Sequence, residues 1–360
     1  GADRPAPAGD RWDISPELHY DHSLELSYAE GFAVDYYAEG CALLSIFGEG
    51  RYLVLPEGAE AAAGLPDDVT VLRQPLGRVY LAASAVMDMF RALDALDTVR
   101  FSSLKEEGWH LPEARDAMAR GEILYAGAYS APDYERILAE NCGLAIENTM
   151  IYHTPEVKEQ LERFGVPVLV DRSSYEEDPL GRMEWVKVYG LLTGREAAAQ
   201  EVFDSQAEAF SSLRGEADTG KTVAFFYITS TGAANVRRSA DYVPKMIEMA
   251  GGTYVFKGLG GEDGSASSTV TMQMEEFYAA AKDADYLIYN STVDGELPSL
   301  DALIAKDGLL ANLKAVREGT VFCTAENLYQ SSMELGTFIL DLHKMLTGDW
   351  ESMTYLERLE

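Results

Sequence analysis

Polar, basic and aromatic side chains follow the predicted strands of this chain at the points where the strands end. In the N-terminal half these are Ser84, Ser102, Tyr129, Glu147, Asn148, Arg172 and Tyr175, and in the C-terminal half they are Thr229, Ser230, Arg237, Arg238, Asn290, Ser291, Glu326 and Tyr329. Open parallel sheets bind their ligands beyond the carboxyl ends of the strands. Hydroxyl and amide groups gathered there can hydrogen-bond a ligand with many oxygen atoms, and arginine grips anionic oxygens with a planar fork. We therefore predict that these side chains line a ligand-binding cleft.

The same residue types also have ordinary structural roles. An arginine in an acidic protein commonly forms a surface ion pair, and a loop tyrosine commonly packs half-buried. Two acids at strand ends, Glu147 and Asp171, are candidates for acid–base catalysis in an alternative interpretation of the chain as an α/β enzyme.

The chain lacks the sequence motifs of common enzyme and metal sites. It has no GxSxG elbow, no Walker loop and no GxGxxG after a first strand. Its three cysteines, Cys41, Cys142 and Cys323, lie far apart, and its five histidines do not cluster at the strand ends. We predict that the protein is not an enzyme and holds neither a cofactor nor a bare metal ion.

The charge balance excludes one class of partner. The chain has 60 acidic and 29 basic residues, and its formal net charge is −31. Such a surface repels phosphate backbones, so we expect no nucleic-acid binding, and an anionic ligand needs locally placed arginines. No apolar run approaches the length of a membrane span.

Apolar runs and turn residues predict an α/β protein. Antiparallel strands are expected within residues 23–56, at Leu24–Ala29, Phe32–Tyr37, Cys41–Phe47 and Tyr52–Leu55. Strands then alternate with helices, which favours parallel sheets with helices on both faces. The predicted strands are Val79–Ala82, Val99–Ser102, Ile123–Ala126, Leu144–Ile146 and Val166–Val170, followed by Thr222–Thr229, Thr253–Phe256, Tyr286–Tyr289 and Thr320–Thr324.

The organisation along the chain predicts two lobes joined by one long helix. Residues 1–22 are interpreted as a tether, 23–193 as an N-terminal lobe and 216–360 as a C-terminal lobe, each a mainly parallel sheet flanked by helices. Between them, Thr193–Glu196 has the spacing of a capping box and predicts a helix over 194–215. The glycine-rich segment 258–265 predicts a loop.

Several segments, in this order, resemble the substrate-binding proteins of ABC importers for iron–siderophore, heme and cobalamin. The resemblance is carried by Gly121–Gly127 with Ala131–Leu138, Leu144–Glu147, Asp178–Trp185, Ala250–Gly252 and Ala284–Ile288. It covers residues 28–346 and rests on the order and spacing of these segments.

The resemblance implies an extracytoplasmic protein that captures a metal chelate in a cleft between its lobes. A ferric siderophore is the first expectation, followed by heme or a corrinoid. The protein would deliver this ligand to an ABC permease with its ATPase, would touch the membrane only through a lipid anchor, and would be a monomer. Rim acids would dock on the permease, with Glu135 on the first lobe and Glu275 or Glu276 on the second. Acids in a first helical turn also favour the helix dipole without any partner, and a sensor or scavenger of the same fold is the alternative function.

Overall fold

The computed structural model describes residues 13–213, 216–259 and 268–360. In these residues the strands are β1 (Tyr20–Ser23), β2 (Phe32–Tyr37), β3 (Ala42–Ile46), β4 (Gly50–Leu55), β5 (Val69–Arg73), β6 (Val79–Leu81), β7 (Val99–Ser102), β8 (Leu124–Tyr125), β9 (Ala145–Asn148), β10 (Val168–Asp171), β11 (Lys221–Ile228), β12 (Ala234–Arg237), β13 (Gly252–Tyr254), β14 (Thr269–Met272), β15 (Tyr286–Tyr289), β16 (Val321–Thr324) and β17 (Leu356–Arg358). The α-helices are α1 (Met87–Ala92), α2 (Pro112–Ala119), α3 (Tyr134–Ala139), α4 (Pro155–Arg163), α5 (Pro179–Glu184), α6 (Val186–Thr193), α7 (Glu196–Ser211), α8 (Tyr242–Met249), α9 (Met274–Ala281), α10 (Leu300–Ile304), α11 (Lys314–Glu318) and α12 (Leu335–Thr347).

The chain divides into two compact units, Gly1–Asp204 (unit 1) and Ser205–Glu360 (unit 2). The division falls inside α7, so the predicted helical connection between two α/β units is confirmed. The helix is shorter than predicted: it begins at Glu196 and ends at Ser211, while residues 214 and 215 lie outside the described residues. The predicted capping box is wrong, because the Thr193 hydroxyl donates to the Tyr189 carbonyl within α6. Gly194, with a φ of 69°, ends that helix in the left-handed conformation that suits glycine.

Unit 1 begins with a sheet in the order β1-β2-β3-β4-β5, antiparallel except for the last pair. The predicted tether is wrong for residues 13–22. Ile14 and Leu18 are buried against Tyr37 and Leu53, and β1 pairs with β2. Burial of these apolar side chains stabilises their packed position, so residues 13–22 are part of unit 1 and do not form a free tether. Residues 1–12 of the tether lie outside the described residues.

The second sheet of unit 1 is entirely parallel, in the order β10-β9-β6-β7-β8. Its strands β6, β9 and β10 are short and almost wholly buried, as expected for a sheet covered on both faces, whereas the edge strand β8 is half-buried. Parallel strands bring their carboxyl ends to one edge. The residues that follow β6, β7, β9 and β10 are therefore neighbours at that edge, which we call the carboxyl edge of unit 1.

Unit 2 contains one seven-stranded mixed sheet. β13, β15 and β16 extend the sheet from β11 in parallel pairs, but β12, β14 and β17 pair antiparallel. The prediction of a mainly parallel sheet is thus too simple. The segment after β11 is a hairpin turn, in which the Thr229 amide donates to Ala233 and Gly232 has a φ of 83°. Residues 260–265 of the predicted glycine-rich loop lie outside the described residues.

A predicted strand in unit 1, Leu24–Ala29, is instead a loop held by a buried carboxylate. The amides of Ser27, Tyr28 and Ala29 donate to Glu184 at 2.9, 2.8 and 2.7 Å. These amides are satisfied by a side chain from α5 and need no strand partner. Among the described helices, none combines the length and apolar character that a bilayer crossing requires.

Candidate ligand-binding site

The carboxyl edge of unit 1 presents an arginine between tyrosines. Arg172 directly follows β10, and its guanidinium carbon lies 4.8 Å from the ring centroid of Tyr175. Arg172 Nη1 donates to the Tyr152 hydroxyl at 3.3 Å, and that hydroxyl in turn donates to Glu49. Three chain segments distant in sequence therefore hold one guanidinium in place. Gly48 leaves room for this guanidinium, because a Cβ at that position would lie 2.6 Å from Arg172 Nη1. Its φ of 80° is also a backbone conformation that glycine adopts readily.

The two tyrosines that contact this arginine, and Met150 in the same turn as Tyr152, are unusually exposed for their size. Met150 is 45% exposed, Tyr152 is 41% exposed and Tyr175 is 49% exposed, and they account for half of the large exposed apolar or aromatic side chains among the described residues. Clustered apolar exposure marks binding surfaces more often than scattered exposure does. We call Met150, Tyr152, Arg172 and Tyr175 the rim patch. Partial burial, together with the Glu49 hydrogen bond, raises the pKa of Tyr152, so its hydroxyl stays neutral.

The rim patch combines a cation with flat aromatic faces. A guanidinium offers several donors to carboxylate or other anionic oxygens, and the tyrosine rings offer stacking surfaces. Arg172 and Tyr175 were predicted from the sequence and are brought together. Met150, Tyr152 and Glu49 were missed, because only folding brings the β3–β4 turn and the segment after β9 next to Arg172.

Two predicted ligand contacts in unit 1 are wrong because the side chains are fully buried. Ser102 is 0% exposed, and its hydroxyl accepts from Trp109 Nε1 at 3.0 Å and donates to the Leu104 carbonyl. Glu147 is also 0% exposed. Both therefore lack a surface from which to contact a ligand.

The other predicted contacts of unit 1 keep partial exposure. Asn148 Oδ1 accepts from the Met150 amide at 2.8 Å and so shapes the turn that carries Met150 and Tyr152 of the rim patch. Tyr129 packs partly buried against the core beneath the edge, and Ser84 begins the short 3₁₀ turn after β6. These three residues remain predicted ligand contacts.

Asp171, a candidate catalytic acid in the enzyme interpretation, has a structural role. It is buried, and its carboxylate accepts from the amide and hydroxyl of Ser173 and from the Tyr189 hydroxyl. Burial raises the pKa of Asp171, against the opposing effect of these hydrogen bonds. With its carboxylate hydrogen-bonded inside the protein and only 5% of its surface exposed, Asp171 is not placed to act on a substrate.

Unit 2 places a second arginine over a tyrosine. The Arg237 guanidinium carbon lies 4.7 Å from the Tyr329 ring centroid, and its Nη1 lies 3.6 Å from Asp241. Asn290 Nδ2 donates to the Tyr329 hydroxyl at 3.3 Å. Arg237 keeps only 14% of its side chain exposed, so its main contacts are internal. The sequence predicted Arg237, Asn290 and Tyr329 as ligand contacts, whereas the structure joins them in a packed network.

The remaining predicted residues of unit 2 differ in exposure. Ser291 is 0% exposed, and its prediction as a ligand contact is wrong for the same reason as that of Ser102. Ser230 is exposed at the tip of the β11–β12 turn, and Thr229 shapes that turn by accepting from the Ala233 amide. Arg238 and Glu326 are partly exposed. Sequence reasoning missed Val293, which is 54% exposed just after the β15 strand end.

The predicted docking acids are exposed in first helical turns. Glu135 lies in the first turn of α3, and Glu275 and Glu276 lie in the first turn of α9. The amide of Arg136 is capped by Asp133, which leaves the Glu135 carboxylate free of that task. Their exposure is compatible both with docking and with a purely local effect on the helix dipole.

No group of three or more histidine, cysteine, aspartate or glutamate side chains able to hold a metal ion occurs in the parts of the chain that the structure describes. The three cysteines are free and buried. Burial raises the pKa of Cys142 and of Cys323 to about 11, which keeps both as thiols at neutral pH.

Comparisons with known proteins identify the fold. No protein-family model matches the chain. An uncharacterized lipoprotein of Methanocaldococcus jannaschii, MJ0878, is 27% identical over 300 residues, covering 81% of this chain and 70% of the relative. The periplasmic heme-binding protein HutB of Vibrio cholerae is similar with a TM-score of 0.59 and 19% identity, over 74% of this chain and 98% of HutB. A structure from the ABC-type Fe³⁺-hydroxamate transport system of Saccharomonospora viridis has a TM-score of 0.57 and 20% identity, over 75% of this chain and 93% of that one.

These likenesses show a shared fold. The resemblance seen in the sequence is confirmed at the level of the fold. The α/β fold of this chain matches nearly the whole length of both solved structures, 98% of HutB and 93% of the Saccharomonospora viridis protein. What those proteins bind bears on this chain only as support for a proposal.

Proposed function

We propose that the protein is the extracytoplasmic substrate-binding protein of an ABC importer and that it captures an anionic metal chelate. A ferric siderophore is the first candidate ligand, followed by heme or a corrinoid. The observation that carries the proposal is the rim patch, in which Arg172 lies between exposed tyrosines at the carboxyl edge of a parallel sheet. The fold shared with a periplasmic heme-binding protein and with a structure from an ABC-type Fe³⁺-hydroxamate transport system supports it.

The charge of the chain makes the rim arginine informative. A protein of formal net charge −31 repels anions over most of its surface. Arg172 stacks on the Tyr175 ring and donates to the neutral Tyr152 hydroxyl, which lies between it and the Glu49 carboxylate, and it forms no ion pair within the described residues. Its positive charge therefore remains available to the anionic oxygens of a chelate, and the tyrosine rings can contact the flat or apolar parts of the ligand.

Delivery to a permease completes the proposed function. Glu135 on unit 1 and Glu275 or Glu276 on unit 2 are the proposed docking acids, which would set orientation and association rate at a transient interface. The lipoprotein relative and the periplasmic neighbours agree with a location outside the cytoplasm, reached through a lipid anchor or in the periplasm. We further propose that the protein acts as a monomer and that Ser230, Thr229 and Arg238 are ligand contacts of unit 2.

Replacing Arg172 by alanine should weaken chelate binding about 10- to 100-fold, because one charge-assisted contact contributes roughly 1.5–3 kcal/mol. The measurement is a fluorescence-quenching titration with a ferric tris-catecholate siderophore, a ferric tris-hydroxamate siderophore and heme. Arg163→Ala is the matched control, since Arg163 is an exposed arginine of unit 1 at the end of α4. An unchanged dissociation constant in Arg172→Ala, with the melting temperature preserved, would remove the rim patch from the proposed site.

A further inference from the structure

Glu147 is a buried carboxyl group without a hydrogen-bond partner. Its side chain is 0% exposed, and neither Oε1 nor Oε2 has a partner among the described residues. Buried polar groups are nearly always hydrogen-bonded, so an orphaned carboxyl group at a strand end needs a reason.

The pairing of β9 shows what surrounds this carboxyl group. Glu147 is in register with Val170 of β10, and Ala145, two residues earlier on the same face, is in register with Val168 and with Tyr80 of β6. Partners in register and alternate residues of a strand share one face of the sheet. All four neighbours belong to a single apolar cluster, so Glu147 projects into that cluster.

The cluster offers no counter-charge. Its titratable members and packed neighbours are the phenols Tyr80, Tyr129 and Tyr134 and the thiol Cys142. Among the described residues no charged group shifts the pKa of Glu147, because burial is the only cause that acts on it. Tyr80 already donates to the Gly127 carbonyl, and Cys142 to the Leu144 carbonyl. On β10 and α4 the facing cluster members are valines and leucines: Val157, Leu161, Val168 and Val170. Burial alone raises the pKa of Glu147 to about 8.

The turn that follows β9, and so lies next to this carboxyl group along the chain, carries half of the rim patch. The 3₁₀ turn Thr149–His153 starts two residues after Glu147, and its Ile151 belongs to the same apolar cluster. Met150 and Tyr152, on the outer side of the turn, belong to the rim patch. At the end of the turn, the Thr154 hydroxyl is also buried without a partner among the described residues. The turn is therefore flanked by two unsatisfied polar groups, which makes its packed position less stable than that of a satisfied turn.

We propose that Glu147 is a positioning residue for the rim patch: its neutral form lets the turn Thr149–His153 pack, and its ionised form releases the turn so that the carboxylate reaches water. Opening of the turn exposes the Glu147 carboxyl group to water and returns its pKa to the ordinary range. Glu147 therefore binds its proton more tightly when the turn is packed than when the turn is open. The packed turn is thus fully favoured below about pH 4.5, is progressively disfavoured up to about pH 8, and changes no further above it. If the rim patch binds the chelate as proposed above, capture by unit 1 is strongest at the acidic end of this range.

Hydrogen exchange of the ligand-free protein tests the proposal without reference to any ligand. Between pH 5 and pH 8, protection factors of the amides in residues 149–154 should fall at least tenfold in the wild type and stay constant in Glu147→Gln. The amides of the 3₁₀ turn Leu96–Thr98, elsewhere in unit 1, are the internal control. In the wild type they should lose less protection than residues 149–154, because they report only the change in global stability. Glu147→Leu serves as a second variant if the amide side chain lowers the stability of unit 1.

Equal pH dependence of residues 149–154 in wild type and variants overturns the proposal, as does a loss of protection spread evenly over unit 1. A separate titration with a ferric siderophore at pH 5.5 and pH 8 then compares wild type with Glu147→Gln, so that protonation of the siderophore itself cancels. If the turn responds to pH but neither protein binds a chelate, the role of Glu147 stands and the proposed function fails.

Discussion

Replacing Glu184 by alanine should lower the free energy of unfolding of unit 1 by about 3–5 kcal/mol, the cost typical of breaking a buried ion pair from one side. The Glu184 side chain is 0% exposed and lies 2.8 Å from Nζ of Lys187, which is 5% exposed. The same carboxylate accepts the amides of Ser27, Tyr28 and Ala29. Its removal leaves a buried ammonium group and three amides without their acceptor, each of which is costly in a low-dielectric interior. Urea denaturation followed by tryptophan fluorescence measures the loss.

Two further variants separate the causes of this loss. Glu122→Ala breaks an exposed ion pair with Arg120 and should leave the unfolding midpoint unchanged, since such pairs contribute little. The double variant Glu184→Leu with Lys187→Met removes the unpaired ammonium group but still leaves the three amides unsatisfied. Its stability should therefore lie between those of the wild type and Glu184→Ala. A loss below about 1 kcal/mol in Glu184→Ala would contradict the assigned role, because even one orphaned buried donor costs that much.

Replacing Glu147 by leucine or glutamine should stabilise the protein by an amount that grows with pH. An unfolded glutamate has a pKa of about 4.3, whereas burial raises the pKa of folded Glu147 to about 8. Between these values the folded state keeps a proton that the unfolded state has lost, so the contribution of Glu147 to stability falls as the pH rises. The fall amounts to about 1.4 kcal/mol per pH unit, or up to about 4 kcal/mol from pH 5 to pH 8. Neither variant titrates there.

The measurement is the difference in unfolding free energy between wild type and each variant, taken at pH 5, 6, 7 and 8. Other buried acids, such as Glu176 and Asp341, also have raised pKa values because of burial, but they are present in all three proteins and cancel in the difference. Plotted against pH, the free-energy differences for Glu147→Leu and Glu147→Gln should run parallel, because both variants lack the titrating carboxyl group. The two curves should be displaced from each other by a constant amount, because leucine and glutamine differ in polarity. A difference that stays constant over this range would show that Glu147 ionises normally in the folded protein.

Strands with their own local signal were predicted well from the sequence. The predicted bounds of β7 and β15 match the structure, because each is a short run of buried β-favouring residues between turns. β12, β14 and β17 were missed, since each is only three or four residues long, is not a fully buried run, and depends for its strand conformation on pairing with a neighbour. The loop Leu24–Ala29 was mistaken for a strand because the carboxylate that holds it, Glu184, lies more than 150 residues further along the chain.

The candidate site could be predicted only in part, for a related reason. Strand ends are readable from a sequence, and they located Arg172 and Tyr175 correctly at the carboxyl edge of unit 1. Which strand-end residues face outward is decided by packing, so Ser102 and Glu147 could not be separated from exposed residues in advance. Tyr152 reaches Arg172 through a turn whose course depends on Ile151 entering the core.

A thermal-shift titration of the purified protein tests the central claim most directly. The panel contains a ferric tris-catecholate siderophore, a ferric tris-hydroxamate siderophore, heme, cobalamin and bare divalent cations. Binding to the folded state alone at a hundredfold excess over Kd adds about 2.7 kcal/mol of stability, which a melting curve resolves. We predict a saturable upward shift of the melting temperature with one chelate class, reduced in Arg172→Ala, and no shift with the bare cations. No shift with any chelate, or a shift with bare cations alone, would contradict a chelate-binding function.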